Sequence, residues 1–137
     1  ADGKGKDAIT WFRDDLGSDV PTPAAHQGRA YVVADGKSSK GTITCVNLKN
    51  GQTIWTVELP KSRSGYSSSP LIAGNHLYVT QENGTTFVIG PLDQDQPAMV
   101  AQNVIEDNEP FTVASPVPID GSLLLRSRHK LYRIKGE

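Results

Sequence analysis

The stretch Cys45-Val46-Asn47-Leu48-Lys49-Asn50-Gly51-Gln52-Thr53-Ile54-Trp55 decides the fold. Asn-Gly between two alternating segments is the strongest short signal for a tight β-hairpin, because glycine accepts the positive φ that such turns require. The segment before the turn alternates over residues 42–47, and the segment after it places Trp55, Val57 and Leu59 on one face. Successive side chains of a strand point to opposite faces, so this stretch predicts two antiparallel strands with one buried face.

Similar patterns recur along the chain at intervals of about 45 residues. A proline followed by a glycine and then a large apolar residue recurs with spacings of 47 and 46, at Pro23, Pro70 and Pro116. A second series has spacings of 44, at Trp11, Trp55 and Met99. Glycine and proline together account for 22 of the 137 residues, which favours short strands joined by turns. Repeating β units of this length are typical of propeller blades.

The predicted fold class is therefore all-β: a partial β-propeller of about three four-stranded antiparallel blades. Residues 20–59 and 66–104 form two blades, and residues 111–135 form an incomplete last blade that lacks a fourth strand. Residues 9–13 (Ile-Thr-Trp-Phe-Arg) are expected to be the outer strand of a preceding or closing blade. The expected core residues are Tyr31, Val33, Ile43, Leu77, Val79, Phe87, Val88, Leu124 and Tyr132.

The opening stretch resembles the tryptophan-docking motif of the pyrroloquinoline-quinone-type propellers, Ala-x-Asp-x-x-x-Gly-x-x-x-Trp. Gly51 and Trp55 match the motif, Asn47 stands at the Asp position, and Cys45 is a small residue at the Ala position. A tryptophan is large and flat enough to stack between neighbouring blades, and we expect this role for Trp55 and Trp11. The resemblance covers residues 9–135.

The resemblance implies a bacterial extracytoplasmic protein, since the family includes quinoprotein dehydrogenases, the propeller lipoprotein of the outer-membrane assembly machinery and many extracytoplasmic proteins of unknown role. Its enzymes hold the quinone with an adjacent-cysteine disulfide, a stacking Trp, a catalytic Asp and Ca²⁺ ligands. The sequence contains a single cysteine, Cys45, so no such pair exists in this chain. We therefore expect no catalytic, cofactor-binding or metal-binding residues here.

Three functions remain open at this stage. The first is a non-catalytic binding or scaffold module. The second is the C-terminal part of a quinone-dependent dehydrogenase whose active site lies in other blades. The third is the sensor propeller of a membrane signalling protein such as a kinase.

Length bears on the partners of the chain, because closed propellers need about four to eight blades and this chain supplies about three. The chain is either a piece of a longer propeller or a unit that assembles into a ring. Its partners are then remaining blades or another protein, and we expect the piece alone to form a homo-oligomer through its uncovered blade faces.

Charge separates along the sequence although the net charge is only −1. This near-neutral balance disfavours general nucleic-acid binding, and no apolar run approaches the ~18 residues of a membrane span. Residues 81–122 contain seven acids and no Lys or Arg. The last segment carries five cations, Arg126, Arg128, Lys130, Arg133 and Lys135. These form either an interaction surface or a charged edge that prevents aggregation.

Overall fold

The computed structural model of the protein describes residues 8–135, and these form eleven strands and no α-helix. The strands are β1 (Ala24–His26), β2 (Arg29–Val33), β3 (Thr42–Asn47), β4 (Thr53–Glu58), β5 (Leu71–Ala73), β6 (His76–Thr80), β7 (Thr85–Gly90), β8 (Ala98–Val104), β9 (Val117–Ile119), β10 (Ser122–Arg126) and β11 (Leu131–Lys135).

The strands form three separate antiparallel sheets in chain order. Sheet 1 contains β1–β4, sheet 2 contains β5–β8, and sheet 3 contains β9–β11. Within each sheet every strand pairs with the next one along the chain, because turns and short loops join them. The all-β prediction with two four-stranded units and a three-stranded last unit is confirmed.

The main core lies between sheets 1 and 2. Its buried side chains come from alternate positions of the facing strands, as expected for two sheets that each bury one face. They are Tyr31, Val33, Ile43, Cys45, Trp55, Leu59, Tyr66, Leu77, Val79, Phe87, Ile89 and Leu92. Seven of the expected core residues are buried, as predicted: Tyr31, Val33, Ile43, Leu77, Val79, Phe87 and Val88. Leu124 and Tyr132 are only half-buried, because they belong to sheet 3, which is less completely covered.

Residues 9–13 belong to none of the three sheets of the described chain, so their expected role as the outer strand of a preceding or closing blade stays a prediction. A strand needs a ladder partner for its backbone groups, and the described residues offer none at this place. The segment is held by side chains instead. Trp11 Nε1 donates to the carbonyl of Leu48 at 2.8 Å, and Arg13 donates to the carbonyl of Gly51 at 2.9 Å.

The chain after Arg13 crosses the face of sheet 1 that points away from sheet 2. Ser18 Oγ donates to the carbonyl of Val33 at 3.1 Å, at the opposite end of the strands from Gly51. Thr44 and Val46 point to this face, and both are buried. The segment 11–20 thus covers the first face of the stack.

Candidate binding groove between sheets 2 and 3

Hydroxyl groups that precede the repeating prolines link the three sheets in series. The backbone N–H of Thr22 donates to Ser69 Oγ at 2.9 Å, and the N–H of Ser69 donates to Ser115 Oγ at 2.9 Å. Ser68 Oγ also donates to the carbonyl of Ala114 at 2.9 Å. Equivalent residues of successive repeats therefore touch one another, which fixes the order and spacing of the sheets.

The hairpin between β3 and β4 holds Trp11. Gly51 has φ +70°, and a Cβ built there would lie 2.6 Å from Cε3 of Trp11. Only glycine allows both this backbone conformation and the close approach of the indole. Asn47 Oδ1 accepts the N–H of Lys49 at 2.8 Å and so stabilises the same turn.

Cys45 and Trp55 are neighbours across β3 and β4, and both are buried. Burial raises the pKa of the Cys45 thiol to about 11. The Trp55 ring is tilted by 46° against Tyr31, with 5.7 Å between the ring centroids. The indole fills the space between sheets 1 and 2, in which it is buried together with side chains of β6 and β7.

Among the described residues, the Trp55 indole N–H finds no hydrogen-bond partner. The carbonyl of Leu92 in sheet 2 corresponds to the carbonyl of Leu48 in sheet 1. Both residues make the same backbone contact with the preceding hairpin: the N–H of Leu92 donates to Asn75 O, and the N–H of Leu48 donates to Gly28 O. The Leu92 carbonyl accepts Arg29 Nη1 at 2.7 Å. Between sheets 1 and 2, Arg29 therefore donates to the Leu92 carbonyl. The corresponding carbonyl of sheet 1, that of Leu48, accepts a hydrogen bond from the Trp11 indole.

The tryptophan position of sheet 2 is Ala101. Tyr31 lies opposite Cys45, which lies opposite Trp55, and the corresponding series in sheet 2 is Tyr78, Val88 and Ala101. The sequence spacing placed Met99 there, and this was wrong. Met99 lies opposite Ile89, a residue of the core between sheets 1 and 2, because the register shifts at Val88 and Ile89.

An open groove separates sheets 2 and 3 where the missing indole would lie. One compartment, of about 450 Å³, is lined by Tyr78, Thr86, Val104, Ile105, Leu125 and Tyr132, among others. The adjoining compartment, of about 960 Å³, is lined by Tyr78, Val88, Ala101, Asn103, Ile119 and Leu123, among others. The groove is mostly apolar, and its polar lining residues include Gln102, Asn103, Asp120, Ser122 and Lys135.

The linker before sheet 3 is fixed to the last hairpin by a buried carboxylate. The side chain of Asp107 is 5% exposed and accepts hydrogen bonds from Lys130 Nζ at 2.8 Å and from the hydroxyl of Tyr132. These bonds hold the pKa of Asp107 well below its usual range. His129 meets Glu109 nearby at 2.9 Å.

The five cations that the sequence singled out do not form one surface. Lys130 binds Asp107, and the Arg128 guanidinium lies 5.2 Å from the ring centroid of Phe111. The other three share the face of sheet 3 that points away from sheet 2, namely Arg126, Arg133 and Lys135. That face also exposes apolar side chains, at Val117 and Leu131.

The similarity of this chain to known proteins is a similarity of fold. No protein-family model matches the chain, and no curated protein sequence does. The crystal structure of BamB from Moraxella catarrhalis is similar over 79% of this chain, with 21% identity and a TM-score of 0.57. The fold is a partial β-propeller. The match covers 30% of the BamB chain, so this chain spans less than a third of that protein.

Two computationally designed proteins also match. Ika4 has 13% identity and a TM-score of 0.42, over 85% of this chain and 92% of its own. Ika8 has 14% identity and a TM-score of 0.35, over 82% of this chain and 42% of its own.

Across residues 8–135, no three or more His, Cys, Asp or Glu side chains are grouped so as to hold a metal ion. The same residues include no helix with the length and hydropathy of a membrane span.

Sequence reasoning did not identify the groove. Its lining comes from strands of both sheet 2 and sheet 3, and its volume depends on Ala101, a residue type that carries no signal of its own. The available clue was Tyr78, which stands eight residues after Pro70 just as Tyr31 stands eight after Pro23. Counting strand partners from these tyrosines would have led to Ala101.

Proposed function

We propose that this chain is a non-catalytic protein-binding module of a bacterial extracytoplasmic propeller of the quinoprotein type. The groove at Ala101 is the observation that carries the proposal. Large apolar grooves that remain open on a folded domain are characteristic of ligand or protein interfaces. Trp11 stands 44 residues before Trp55, at the corresponding position of the preceding repeat, and its contact with Gly51 and Leu48 supports the quinoprotein-type relationship.

The chemistry of the occupant is suggested by the protein itself. Between sheets 1 and 2 the equivalent space is filled by the Trp55 indole, which packs on Tyr31. Tyr78 occupies the position of Tyr31 in the groove and has no such ring above it. The amide of Asn103 lies at the edge, where it can hydrogen-bond a backbone group. We therefore propose that the groove accepts an aromatic side chain of an extended protein segment.

A probe for this class of ligand is N-acetyl-tryptophanamide, with N-acetyl-alaninamide as the matched control. Nuclear magnetic resonance titration should shift the backbone amides of Tyr78, Ala101, Asn103 and Leu123 with the indole probe only. Ala101→Trp supplies the ring from within the chain and should abolish these shifts. Absence of the shifts, or their persistence in Ala101→Trp, would overturn the proposal.

The competing function is a part of a quinone-dependent dehydrogenase. The full-length protein should be mixed with pyrroloquinoline quinone and Ca²⁺ and assayed for dye-linked alcohol oxidation. The proposal predicts no turnover. Turnover would show that the chain is part of an enzyme and not of a binding module. Recovery of the full-length protein in the cytoplasmic fraction would contradict the extracytoplasmic assignment.

A further inference from the structure

Strand β8 is the outer strand of sheet 2, and every one of its residues is exposed. It pairs with β7 on one side, and no described strand lies on the other. The strand runs over Ala98–Val104 without a charged residue, and Val100 and Val104 keep 54% and 60% of their surface in solvent. Outer strands of soluble proteins usually carry charges that prevent pairing with other chains. The edge of β8 lacks this protection.

The outer strand of sheet 1, β4, differs from β8 in both respects. It carries Glu58, and its residues are only partly exposed, with Trp55 in the core. Arg13 also covers the beginning of β4, because its guanidinium donates to Thr53 Oγ1 at 3.2 Å and to the carbonyl of Gly51 at 2.9 Å. The open and uncharged edge is therefore a feature of β8 and not of the repeat.

The hydrogen-bonding pattern of sheet 2 shows which backbone groups of β8 point outward. The N–H of Gln81 donates to the carbonyl of Thr85, and the direction of the backbone groups alternates along each strand. It follows that β8 bonds to β7 through Ala101 and Asn103. Gln102 lies between them and directs its N–H and its carbonyl away from the sheet.

A β-bulge limits the regular part of this edge. The register between β7 and β8 shifts next to Val100, which has no residue opposite it. Regular pairing is therefore available over residues 101–104. The side chains of Ala101 and Asn103 line the groove between sheets 2 and 3. A strand added along this edge would place alternate side chains over the groove.

Exposed carboxylates stand at both ends of β8. Asp93 and Asp95 precede the strand, and Glu106 follows it and lines the groove. None of the three forms an ion pair within residues 8–135. Residues 81–122 contain no lysine or arginine. An uncharged edge between acidic ends fits a segment that is apolar in its middle and basic at its ends.

The same charges argue against a second copy of this chain as the occupant. Antiparallel pairing of two β8 strands would bring Asp95 of one copy close to Glu106 of the other, and like charges in such pairs are destabilising. Lys135 lines the groove from sheet 3, but Asp120 lines the same compartment. The edge therefore fits a partner that brings its own cations.

We propose that β8 binds an extended segment of a partner protein as a fifth strand of sheet 2. The segment pairs antiparallel, like the other strands of this sheet, and places an aromatic residue opposite Ala101. It carries Lys or Arg at both ends. The inference rests on the proposed function, because the groove receives the aromatic side chain, and it adds backbone pairing and charge to that function.

A heptapeptide tests the inference with the 137-residue chain. N-acetyl-Lys-Val-Thr-Trp-Thr-Val-Lys-amide places its tryptophan opposite Ala101 and its first threonine opposite Gln102. Isothermal titration calorimetry should show saturable binding at one site. The same peptide with glutamate in place of both lysines should bind about tenfold more weakly. Equal affinity of the two peptides, or no binding of the first, would overturn the inference.

N-methylated peptides distinguish backbone pairing from binding in the groove alone. A methyl group on the nitrogen of the first threonine removes the hydrogen that donates to the Gln102 carbonyl, and the affinity should fall about tenfold. A methyl group on the nitrogen of the first valine is the matched control, because that N–H points to solvent, and it should leave the affinity unchanged. Equal losses would show that the segment does not add as a strand. A loss with the valine methyl only would contradict antiparallel pairing.

Paired substitutions in the protein test the acidic ends of β8. Asp95→Asn combined with Glu106→Gln should weaken binding of the lysine peptide about fivefold, because two exposed ion pairs are lost. Asp14→Asn combined with Asp19→Asn removes two exposed carboxylates at the other end of the stack and should leave the affinity unchanged. Equal weakening by both combinations would reduce the effect to net charge and contradict the assigned contact.

Gln102→Pro tests the edge from the side of the protein. Proline removes the outward N–H of β8 but no bond to β7, so the circular dichroism spectrum should be retained and peptide binding lost. Full binding by a folded Gln102→Pro variant would contradict the pairing, and the N-methylated peptides test the same contact in the wild type. If the wild type sediments at twice the chain mass and Gln102→Pro at the single mass, a second copy occupies the edge and the inference is overturned.

The two proposals fail in different ways. If N-acetyl-tryptophanamide binds but the two N-methylated peptides bind equally well, the groove stands and the edge pairing is excluded. If the peptide loses affinity only with the threonine methyl, while N-acetyl-tryptophanamide does not bind, the edge pairing stands and the groove is not an aromatic-binding site.

Discussion

The indole of Trp11 lies directly against the backbone of Gly51, so closely that a methyl group at position 51 would overlap the ring. The same indole donates to the carbonyl of Leu48. Gly51→Ala should therefore displace Trp11 and expose it, with a red shift of its fluorescence and a loss of stability in urea unfolding.

Gly28→Ala is the matched control for this substitution. Gly28 has φ +74°, but no atom lies within 4 Å of the Cβ position. Both variants carry the backbone strain of a left-handed residue, about 1 kcal/mol. Equal losses of stability in the two variants would show that the Trp11 contact contributes nothing.

Trp55→Ala should cost about 3–5 kcal/mol of unfolding free energy, since it opens a cavity between sheets 1 and 2. Within residues 8–135 the indole N–H makes no hydrogen bond, so its removal leaves no buried acceptor there without a partner. Chemical unfolding monitored by circular dichroism measures this loss. A loss below about 1 kcal/mol would show that the ring does not hold the two sheets together.

The repeat could be predicted because turn chemistry and alternation are local. Gly51, flanked by alternating strands, fixed the hairpin and, with it, the core position of Trp55. Whether residues 9–13 form a strand could not be predicted from their own sequence, because a β-prone segment forms a strand only where another strand offers its edge. Their side-chain anchors, Trp11 and Arg13, depend on contacts with residues about 40 positions away.

The groove could not be predicted for a related reason. The register shift at Val88 and Ile89 moves the tryptophan position from Met99 to Ala101, and such bulges leave little trace in a sequence. The division of the five cations between different contacts could not be predicted either, because it depends on tertiary partners. Lys130 binds Asp107, whereas Arg133 belongs to the outward face.

The stability supplied by Asp107 should depend on pH. Hydrogen bonds from Lys130 and Tyr132 lower its pKa in the folded state. The carboxylate therefore stabilises the fold at all pH values above the ordinary carboxyl range near pH ~4, and this contribution falls as the pH drops below it. Urea unfolding of wild type and Asp107→Asn should differ by a constant amount from pH 5 to 8. The difference should shrink at more acidic pH, and a difference that grows there would contradict the assignment.

Cys45 should not react with thiol reagents while the protein is folded. Its side chain is buried, and burial raises its pKa to about 11, so almost no thiolate is present at pH 8. Labelling with a disulfide reagent should proceed only at the rate at which the fold opens, and rapidly in urea. Fast labelling of the native protein would show that β3 is not part of a closed core.

The unfolding free energy of Ala101→Trp, measured beside Met99→Trp, tests most directly the claim that the groove is the space of a missing indole. The account predicts that Ala101→Trp gains about 1–2 kcal/mol, because the ring buries apolar surface against Tyr78 and Leu123. Met99→Trp should gain nothing, because that position does not face the groove. A loss of stability in Ala101→Trp together with a gain in Met99→Trp would contradict the account.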